Sequence, residues 1–366
     1  MKVWIDLLTP KQVLFFEPII QVLKDRGDDV QITSRHYREV ELMVRKRGLE
    51  VQFVGSHGGK HLFPKLIASV ERMKLLAEMF EGDLPDFALS FSSPEAARVS
   101  FGLGIMNVCI NDSPHAQSVA RLTIPTADAL LCPWIIPSEA WTKYGIARSK
   151  ITTYKALDPY VWLKRRDLSN PKIPELDLDY SKGIITVRLE ESFAAYITNV
   201  KDMGYTEEFA LLKRLLEEFR THNIVVLCRY SEQIDTVTEN FKGRVVVPTD
   251  LVDGVTLLQN TNLFIGMGGT MTAEAALIGV PAISFFRGSY QVEKYLISKE
   301  LLTKPRDIDG VMRNAKNMIR NGKDLKERKS QASRIMSGME DPVKIIVKKL
   351  DSLMREKLNQ ARSGRV

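Results

Sequence analysis

Cysteine is scarce in this chain of 366 residues, which contains only Cys109, Cys132 and Cys228. The three are odd in number, far apart and set in apolar runs typical of strands. These positions argue against a disulfide framework and against a zinc site. We therefore expect reduced, buried thiols, as in cytoplasmic proteins.

Long apolar runs are also missing. The longest uncharged stretch, residues 254–273, includes Gln, Asn, Thr and Gly and cannot satisfy the core of a bilayer. The residues before Thr9 are too few for the apolar part of a signal peptide. We therefore expect no membrane span, no export and a cytoplasmic location.

The excess of positive charge is confined to the C-terminal part. The formal net charge is +7, yet residues 311–366 contain 15 Lys and Arg against 6 Asp and Glu, which leaves the first 310 residues slightly negative. The chain also has no zinc-finger, RNP-type or KH-type signature. This distribution argues against nucleic acid as a partner.

What the chain does contain is a regular alternation of short apolar runs and helical periods. In the first half, this pattern predicts strands at 2–8, 29–33, 50–54, 87–91 and 106–110, with helices at 12–26, 38–47, 64–81 and from 94. In the second half, it predicts strands at 183–187, 224–228, 244–247, 263–266 and 282–285, with helices at 206–221, 231–241, 255–258 and 272–278. Repeated strand–helix–strand units of this length indicate an α/β protein with parallel sheets covered on both faces.

We predict two domains and a C-terminal helix. Polar residues and prolines from Leu157 to Asp179 are typical of a linker, so we assign residues 1–160 and 182–340 to the domains and 161–181 to the linker. Residues 341–366 form the C-terminal segment. Ligands of parallel sheets bind beyond the carboxyl ends of the strands, so we expect the site in a cleft between the domains.

The segment 263–285 carries the clearest chemical signal. A predicted strand runs into Gly266, Gly268 and Gly269, and a helix opens near Thr270, so bare backbone N–H groups would form a seat for an anion. Glu274, in the first or second helical turn, could accept the two hydroxyls of a ribose while a diphosphate lies on the glycine turn. The alternative is a tight turn in which Glu274 only complements the helix dipole.

This segment resembles the donor-nucleotide segment of GT-B glycosyltransferases and of non-hydrolysing UDP-N-acetylglucosamine 2-epimerases, through Gly268, Glu274, Gly279 and Pro281. The whole chain, over roughly residues 1–305, more closely resembles an uncharacterised, largely archaeal family of predicted glycosyltransferases, described as a domain of unknown function. The supporting segments are Trp4–Asp6, Phe15–Pro18, Gly55–Gly59, Ser93–Arg98, Asn111–Asp112 and Val292–Leu296.

The resemblance implies a GT-B-like fold, in which two Rossmann-like domains with parallel sheets face each other across a cleft. It also implies glycosyl transfer from a nucleotide sugar to an acceptor hydroxyl. Because backbone groups and an arginine would hold the donor phosphates, we expect no cofactor and no metal site.

The chain departs from the family at Gln12. Where the family usually has a His, in an Asn-Pro-x-His-Val pattern, this sequence has Thr9-Pro10-Lys11-Gln12-Val13. A glutamine cannot take a proton at neutral pH, so if that His is a base or a phosphate contact in relatives, another group carries the catalysis here or it is lost. We assign Thr9, Gln12, His57 and His115 to the acceptor or phosphate loops, with a solvated or structural role as the alternative for the two histidines.

Two carboxylates are candidates for the base. Glu95 and Asp112 each follow a predicted strand of the first domain, where a carboxylate could deprotonate an acceptor hydroxyl. The alternative is that they cap helix starts next to a proline.

Arg188 ends the first predicted strand of the second domain, where a guanidinium could clamp a diphosphate. In the epimerases this strand end resembles Thr-x-His-Arg-Arg-Glu-Asn, and Arg188 stands where their essential His would be, which argues against epimerisation. The alternative is a surface ion pair with Glu190 or Glu191.

Three functions stay open at this stage. We predict a glycosyltransferase, with a nucleotide-sugar 2-epimerase and a non-catalytic nucleotide-sugar binder as the alternatives. The three differ in whether the protein needs an acceptor and whether it turns over.

The C-terminal segment predicts an amphipathic helix over Val343–Leu358. Its apolar face is formed by Val343, Ile346, Val347, Leu350, Leu353, Met354 and Leu358, and its basic face by Lys344, Lys348, Lys349, Arg355 and Lys357. We expect this helix to pack on the first domain. Its basic face would make weak, peripheral contact with an anionic membrane, which suits a lipid-linked sugar as acceptor.

Overall fold

A computed structural model describes residues 1–59, 61–168, 176–189, 206–228, 231–320 and 324–362. The chain divides into two compact units. The first unit contains Met1–Trp162 together with the C-terminal stretch that begins at Glu340, and the second contains Leu163–Met339.

The strands follow one another along the chain with helices between them. They are β1 (Lys2–Leu7), β2 (Asp29–His36), β3 (Gln52–Ser56), β4 (Phe87–Ser90), β5 (Met106–Ile110), β6 (Ala129–Pro133), β7 (Ile151–Tyr154), β8 (Gly183–Arg188), β9 (His222–Leu227), β10 (Leu263–Gly266) and β11 (Ala282–Ser284).

The helices connect and cover these strands. They are α1 (Pro10–Asp25), α2 (Arg38–Arg47), α3 (Leu62–Met79), α4 (Pro94–Leu103), α5 (Gln117–Thr123), α6 (Glu139–Thr142), α7 (Tyr160–Leu163), α8 (Thr206–Glu218), α9 (Ser231–Phe241), α10 (Gly254–Gln259), α11 (Thr270–Leu277), α12 (Gln291–Ser298), α13 (Ile308–Arg320), α14 (Asp324–Ser337) and α15 (Pro342–Arg362).

The first unit is built on a parallel sheet with the strand order β3-β2-β1-β4-β5-β6-β7. β1 is buried along nearly its whole length because neighbouring strands and helices cover both faces. The order runs one way from β1 to β3 and the other way from β4 to β7, so it reverses between β1 and β4. A reversal of this kind is where parallel sheets bind ligands.

The second unit has a parallel sheet with the order β11-β10-β8-β9, which reverses between β8 and β10. The strand predicted at 244–247 is reduced to a single bridge between Val246 and Val225 at the β9 edge. Two backbone hydrogen bonds hold it there, from Val226 N–H to Val246 O at 2.8 Å and from Val246 N–H to Ile224 O at 2.9 Å. The α/β prediction with parallel sheets is confirmed in both units.

The start of the predicted linker belongs to the folded core. Leu157, Val161 and Leu163 have no exposed surface, and α7 begins three residues after Leu157. The hydrophobic side chains on either side of Asp158 and Pro159 are therefore packed in the core, and this stretch is not an extended, solvent-exposed connection. The prolines Pro171 and Pro174 lie outside the described residues.

Helix α15 packs on the first unit. Its buried side includes Val343, Ile346 and Leu350, while Leu358, predicted on the same face, is half exposed because the helix extends past the surface that covers it. Arg26, the residue that follows α1, forms an ion pair with Asp351 at 2.8 Å. The Nζ of Lys357 lies 2.9 Å from Asp86.

The three cysteines are not joined in disulfides. Cys109 and Cys132 are buried as expected, whereas Cys228, at the end of β9, is partly exposed. None of the helices within the described ranges is long and apolar enough to cross a membrane.

Candidate functional site

Polar side chains collect at the carboxyl ends of the strands in the first unit, a region that we call the first-sheet edge. It comprises residues 8–12 after β1, 91–95 after β4, 111–115 after β5 and 155–158 after β7. Because parallel strands end on the same side of a sheet, these four segments lie together.

Lys11 is the centre of this edge. Its Nζ lies 2.6 Å from Asp112 Oδ2 and 2.8 Å from Asp158 Oδ2, and it stands 4.2 Å from the centroid of the Phe91 ring. The hydroxyl of Tyr154 donates to the other oxygen of Asp158 at 2.6 Å. We call Lys11, Asp112, Asp158 and Tyr154 the Lys11 cluster.

The cluster sets the pKa values of its members apart. Burial raises the pKa of Asp158, and the charge of Asp112 adds to the rise against the opposing effect of Lys11. Burial would also raise the pKa of Asp112, but the Lys11 ammonium and hydrogen bonds from Asp158 and Ser113 hold it well below its usual range. One carboxyl of the pair therefore keeps a proton much more readily than the other.

Sequence reasoning placed Asp112 at this edge but missed Lys11 and Asp158. Asp112 does not cap a helix, since α5 begins at Gln117 and the residue before it, Ala116, makes no side-chain cap. The sequence did contain a signal for Lys11. Lys11 comes shortly after the first strand and Asp112 shortly after another strand of the same sheet, so both lie at the same edge of that sheet.

The departure from the family pattern, Gln12, is almost fully buried. Its Oε1 accepts the backbone N–H of Leu8 at 2.6 Å, so the carboxamide holds the turn from β1 into α1. Thr9 occupies the N-cap position of α1 in an extended conformation without a side-chain cap bond.

Glu95 lies in the first turn of α4 and is buried. The capping oxygen of α4 belongs to Ser93, which accepts the N–H of Ala96 at 3.2 Å, so Glu95 is not the cap. Ser93 also donates to Glu95 Oε2 at 3.4 Å, and the guanidinium of Arg72 lies 3.8 Å from the same oxygen.

Arg72 ties Glu95 to the middle of the sheet. This arginine of α3 has almost no exposed surface, donates to both carboxylate oxygens of Asp6 on β1 and bonds the carbonyl of Val54 at 2.9 Å. Burial would raise the pKa of Asp6, but Arg72 holds it below its usual range. The Asp6–Arg72 pair is therefore ionised and fixes one side of Glu95.

The two histidines occupy different parts of the first unit. His115 follows β5 next to the Lys11 cluster, and burial lowers its pKa although the charge of Asp112 opposes this. His57 follows β3 and stacks on the ring of Tyr37, with 4.9 Å between centroids.

The carboxyl ends of β8 and β10 form a second edge, which we call the second-sheet edge. Arg188 is the last residue of β8 and pairs in register with Gly266, the last residue of β10. The N–H of Met267 donates to the carbonyl of Arg188 at 3.0 Å. Arg188 Nη1 donates to the carbonyl of Cys228 at 3.1 Å, so the guanidinium lies at the edge. Glu190 and Glu191 lie outside the described residues.

The glycines of this edge have defined tasks. Gly268 and Gly269 have φ values of 95° and 85°, which side-chain-bearing residues rarely adopt. A Cβ on Gly266 would lie 2.2 Å from the hydroxyl oxygen of Thr272. Glycine is therefore needed both for the turn and for the close approach of α11 to the strand end.

Helix α11 opens directly from this turn at Thr270, with Gly269 as its N-cap and no side-chain cap bond. Its first N–H groups therefore point toward the end of the strands. The hydroxyl of Thr272 is buried in the first turn and has no hydrogen-bond partner among the described residues. Glu274 follows within the helix and is almost fully buried. Thr272 was not singled out from the sequence.

The Gly279 and Pro281 of the motif are structural. Gly279 ends α11 with a φ of 78°, and a Cβ there would lie 2.6 Å from the backbone of Lys329 in α14. The carbonyl of Pro281 accepts the N–H of Phe264 at 2.9 Å. Gly279 thus allows the close approach of α14 at the end of α11, and Pro281 links the segment after α11 to β10.

Glu293 is a further buried carboxylate near the second-sheet edge. Its Oε1 accepts a hydrogen bond from the hydroxyl of Ser284, the last residue of β11. Its other carboxylate oxygen lies 2.5 Å from Lys304 Nζ. These two contacts hold α12 beside β11, the strand that pairs with β10.

Comparison with known proteins gives a family and a fold. A family model described as "Protein of unknown function (DUF354)" matches residues 1–354. An uncharacterized protein of Methanocaldococcus jannaschii is 28% identical over 318 residues, which is 85% of this chain and 89% of that protein.

Among solved structures, UDP-GlcNAc 2-epimerase from Neisseria meningitidis bound to UDP-GlcNAc has a TM-score of 0.69 at 15% identity, covering 96% of this chain and 100% of that one. The spinosyn rhamnosyltransferase SpnG, complexed with spinosyn aglycone, has a TM-score of 0.60 at 12% identity over 96% and 100%. At these identities the similarity concerns the fold, which is that of GT-B glycosyltransferases and UDP-GlcNAc 2-epimerases.

Proposed function

The chain belongs to the DUF354 family, and we propose that it is a glycosyltransferase that moves a sugar from a nucleotide-sugar donor to an acceptor hydroxyl. The donor would bind at the second-sheet edge and the acceptor at the first-sheet edge.

The observation that carries this proposal is the pairing of Arg188 with the glycine turn. The two meet where the strand order of the second sheet reverses, and α11 starts from the same turn. A helix N-terminus, glycines with positive φ and an arginine on the adjacent strand are a combination that binds diphosphates.

Each group at the second-sheet edge has a chemical task in this proposal. The backbone N–H groups of Gly268, Gly269 and Thr270 donate to the diphosphate oxygens, and Arg188 neutralises the charge that develops on the leaving diphosphate. Glu274 accepts the hydroxyls of the ribose. Thr272 supplies one more hydroxyl donor next to the phosphates.

The transfer step balances without a further reactant. The acceptor oxygen attacks the anomeric carbon, the bond from that carbon to the diphosphate oxygen breaks, and the nucleoside diphosphate leaves with the electron pair. The acceptor proton goes to Asp112 or Glu95.

Donor binding is tested with a thermal-shift panel of nucleotide sugars. A ligand at 100 times its dissociation constant should stabilise the protein by about 2.7 kcal/mol. Glu274→Ala should lose this shift, whereas Glu217→Ala, which removes an exposed carboxylate from α8 of the same unit, should keep it. If no nucleotide sugar stabilises the parent protein, the proposal is wrong.

The base is tested with charge-removing variants of equal size. Asp112→Asn should lower turnover by about 10²- to 10⁴-fold with donor affinity kept. Glu95→Gln is the parallel variant, because its carboxylate lies at the same edge but is fixed by Ser93 and Arg72. Full turnover in both variants would show that neither carboxylate is the base.

Epimerisation is the second candidate, and the fold similarity to UDP-GlcNAc 2-epimerases favours it. A 2-epimerase would interconvert UDP-sugars without any acceptor, and NMR of the sugar product would detect the new epimer. Donor binding with no product in either assay would instead indicate a non-catalytic nucleotide-sugar binder. Gln12 supports this alternative, because its carboxamide accepts the Leu8 N–H and cannot act as a base.

A further inference from the structure

Helix α3 exposes large apolar side chains on the outside of the first unit. Leu62, Phe63 and Leu66 are 84%, 74% and 60% exposed, and Ile67 and Val70 are also exposed. These five positions fall on one side of the helix, at spacings of one, three and four residues. We call them the α3 apolar face.

This face is not the side that packs on the sheet. Ala68, Arg72 and Leu76 are the buried residues of α3, and they lie on the opposite side of the helix. The helix is therefore apolar toward solvent as well as toward the core, in contrast to α15, whose outward side is rich in lysine. A contiguous exposed apolar surface on a folded unit marks a place of interaction.

The neighbouring helices extend the apolar face with apolar and cationic side chains. Phe101 of α4 and Leu122 of α5 are 65% and 62% exposed, and Arg98 and Arg121 are exposed on the same two helices. Helix α3 contacts α4, and α4 contacts α5, so the three stand side by side.

The charged residues that border this surface are mostly cationic. The single acidic residue of α4 is the buried Glu95, and α5 has none. On α3, the exposed Glu71 and Lys74 follow Ile67 and Val70 by four residues, so this helix adds one charge of each sign. With Arg98 and Arg121, the surface therefore combines apolar bulk with an excess of positive charge.

The excess of positive charge favours an anionic partner. A second copy of this chain, paired through the same surface about a twofold axis, would present the same excess of positive charge to Arg98 and Arg121. Anionic headgroups over hydrocarbon offer what this surface lacks: negative charge beside an apolar phase.

We propose that the α3 apolar face, with Phe101 and Leu122, inserts into the headgroup region of an anionic phospholipid bilayer while Arg98 and Arg121 contact the headgroups. Because α3 follows β3, its exposed first turns start on the side of the sheet where the first-sheet edge lies. Docking would turn that edge toward the bilayer surface. The inference depends on the surface of α3 to α5 and stands whether or not the proposed glycosyl transfer is correct.

The test is sedimentation of the full-length protein with vesicles of phosphatidylglycerol and phosphatidylcholine, and with vesicles of phosphatidylcholine alone. We expect binding to the anionic vesicles that weakens as salt is added. The double variant Phe63→Ser, Leu66→Ser should lower the affinity at least about tenfold for each side chain removed, without lowering thermal stability, because both side chains are exposed in the free protein.

Leu358→Ser is the control, since it removes a half-exposed leucine from α15, outside this surface. It should leave vesicle binding unchanged. Arg98→Gln together with Arg121→Gln should remove most of the preference for anionic over neutral vesicles.

Two results would overturn the inference. One is a parent protein that ignores anionic vesicles at low salt, or a double variant that binds them as the parent does. The other is a parent that sediments as a dimer, does not bind vesicles and becomes a monomer in the double variant, which would make this face a self-association interface.

Discussion

Asp158 is a buried carboxyl paired with the ammonium of Lys11, and its raised pKa makes the stability of the first unit depend on pH. Burial raises its pKa to about 7, with Asp112 adding to the rise against the opposing effect of Lys11. A carboxyl whose pKa is raised on folding keeps its proton in the folded state after the unfolded chain has lost it. Its contribution to stability is therefore full below about pH 4 and disappears as the pH rises to about 7.

Asp158→Asn should remove this pH dependence, because an amide does not ionise. We expect the difference in the free energy of unfolding between parent and variant to change by at most about 1.4 kcal/mol per pH unit between about pH 4 and pH 7, and then to level off. Urea unfolding across that range measures it. Asp235→Asn, at an exposed position of α9, is the control, and parallel profiles for parent and Asp158→Asn would contradict the prediction.

At the residue scale, the sequence predicted where single residues lie in the fold better than which side chains they contact. Asp112, Glu95 and Arg188 could be assigned to strand ends because strand ends follow from local periodicity. The pairing of Lys11 with Asp158 could not, since the two residues are 147 positions apart and no local pattern brings them together. Seen locally, Asp158 beside Pro159 looks like the start of a linker.

At the scale of elements, α15 shows which part of an amphipathic pattern contributes to stability. Leu350 and Leu358 occupy the same predicted face, yet Leu350 is fully buried and Leu358 is half exposed. The apolar stripe of a helix stabilises the protein only where another element covers it.

Leu350→Ala should therefore lower the free energy of unfolding by about 2–5 kcal/mol, because it removes buried methyl groups and leaves a cavity. Leu358→Ala should change it by no more than about 0.5 kcal/mol. Chemical denaturation of the two variants beside the parent compares them directly. Equal losses would mean that the burial pattern of α15 is not the one described here.

The elements themselves were predictable where clear turn or cap signals enclose them. The bounds of α2, α9, β5 and β10 match their predictions for this reason. β6 and β7, which are as short as β5 and β10, were missed, and the strand at 244–247 was overestimated because an apolar run at a sheet edge need not extend its pairing.

At the scale of the whole molecule, the first unit is made of two separate pieces of chain. The chain leaves it after Trp162 and returns at Glu340. There, Glu340 N–H donates to Lys155 O at 2.9 Å and Glu340 Oε2 accepts Lys155 N–H at 2.7 Å. The last piece is thus attached at its first residue as well as along α15.

This division predicts unequal behaviour of fragments. Residues 163–339 should fold alone, whereas residues 1–162 should be less stable until a peptide of residues 340–366 is added, because α1 then lacks its contacts with α15. Circular dichroism and urea unfolding of each fragment, with and without the peptide, provide the measurement. A peptide carrying Leu350→Ala should restore folding less well than the parent peptide, and a fragment 1–162 that is fully stable alone would contradict the prediction.

The return of the chain at Glu340 also has a consequence for synthesis. As the ribosome proceeds, α1 emerges early, but α15, which packs against it, is made only after the whole of Leu163–Met339. At about 5–20 residues per second, the nascent first unit waits on the order of 10 to 40 s with part of its apolar surface open. We expect the nascent chain to bind chaperones during that interval, and the second unit to complete its fold before the first.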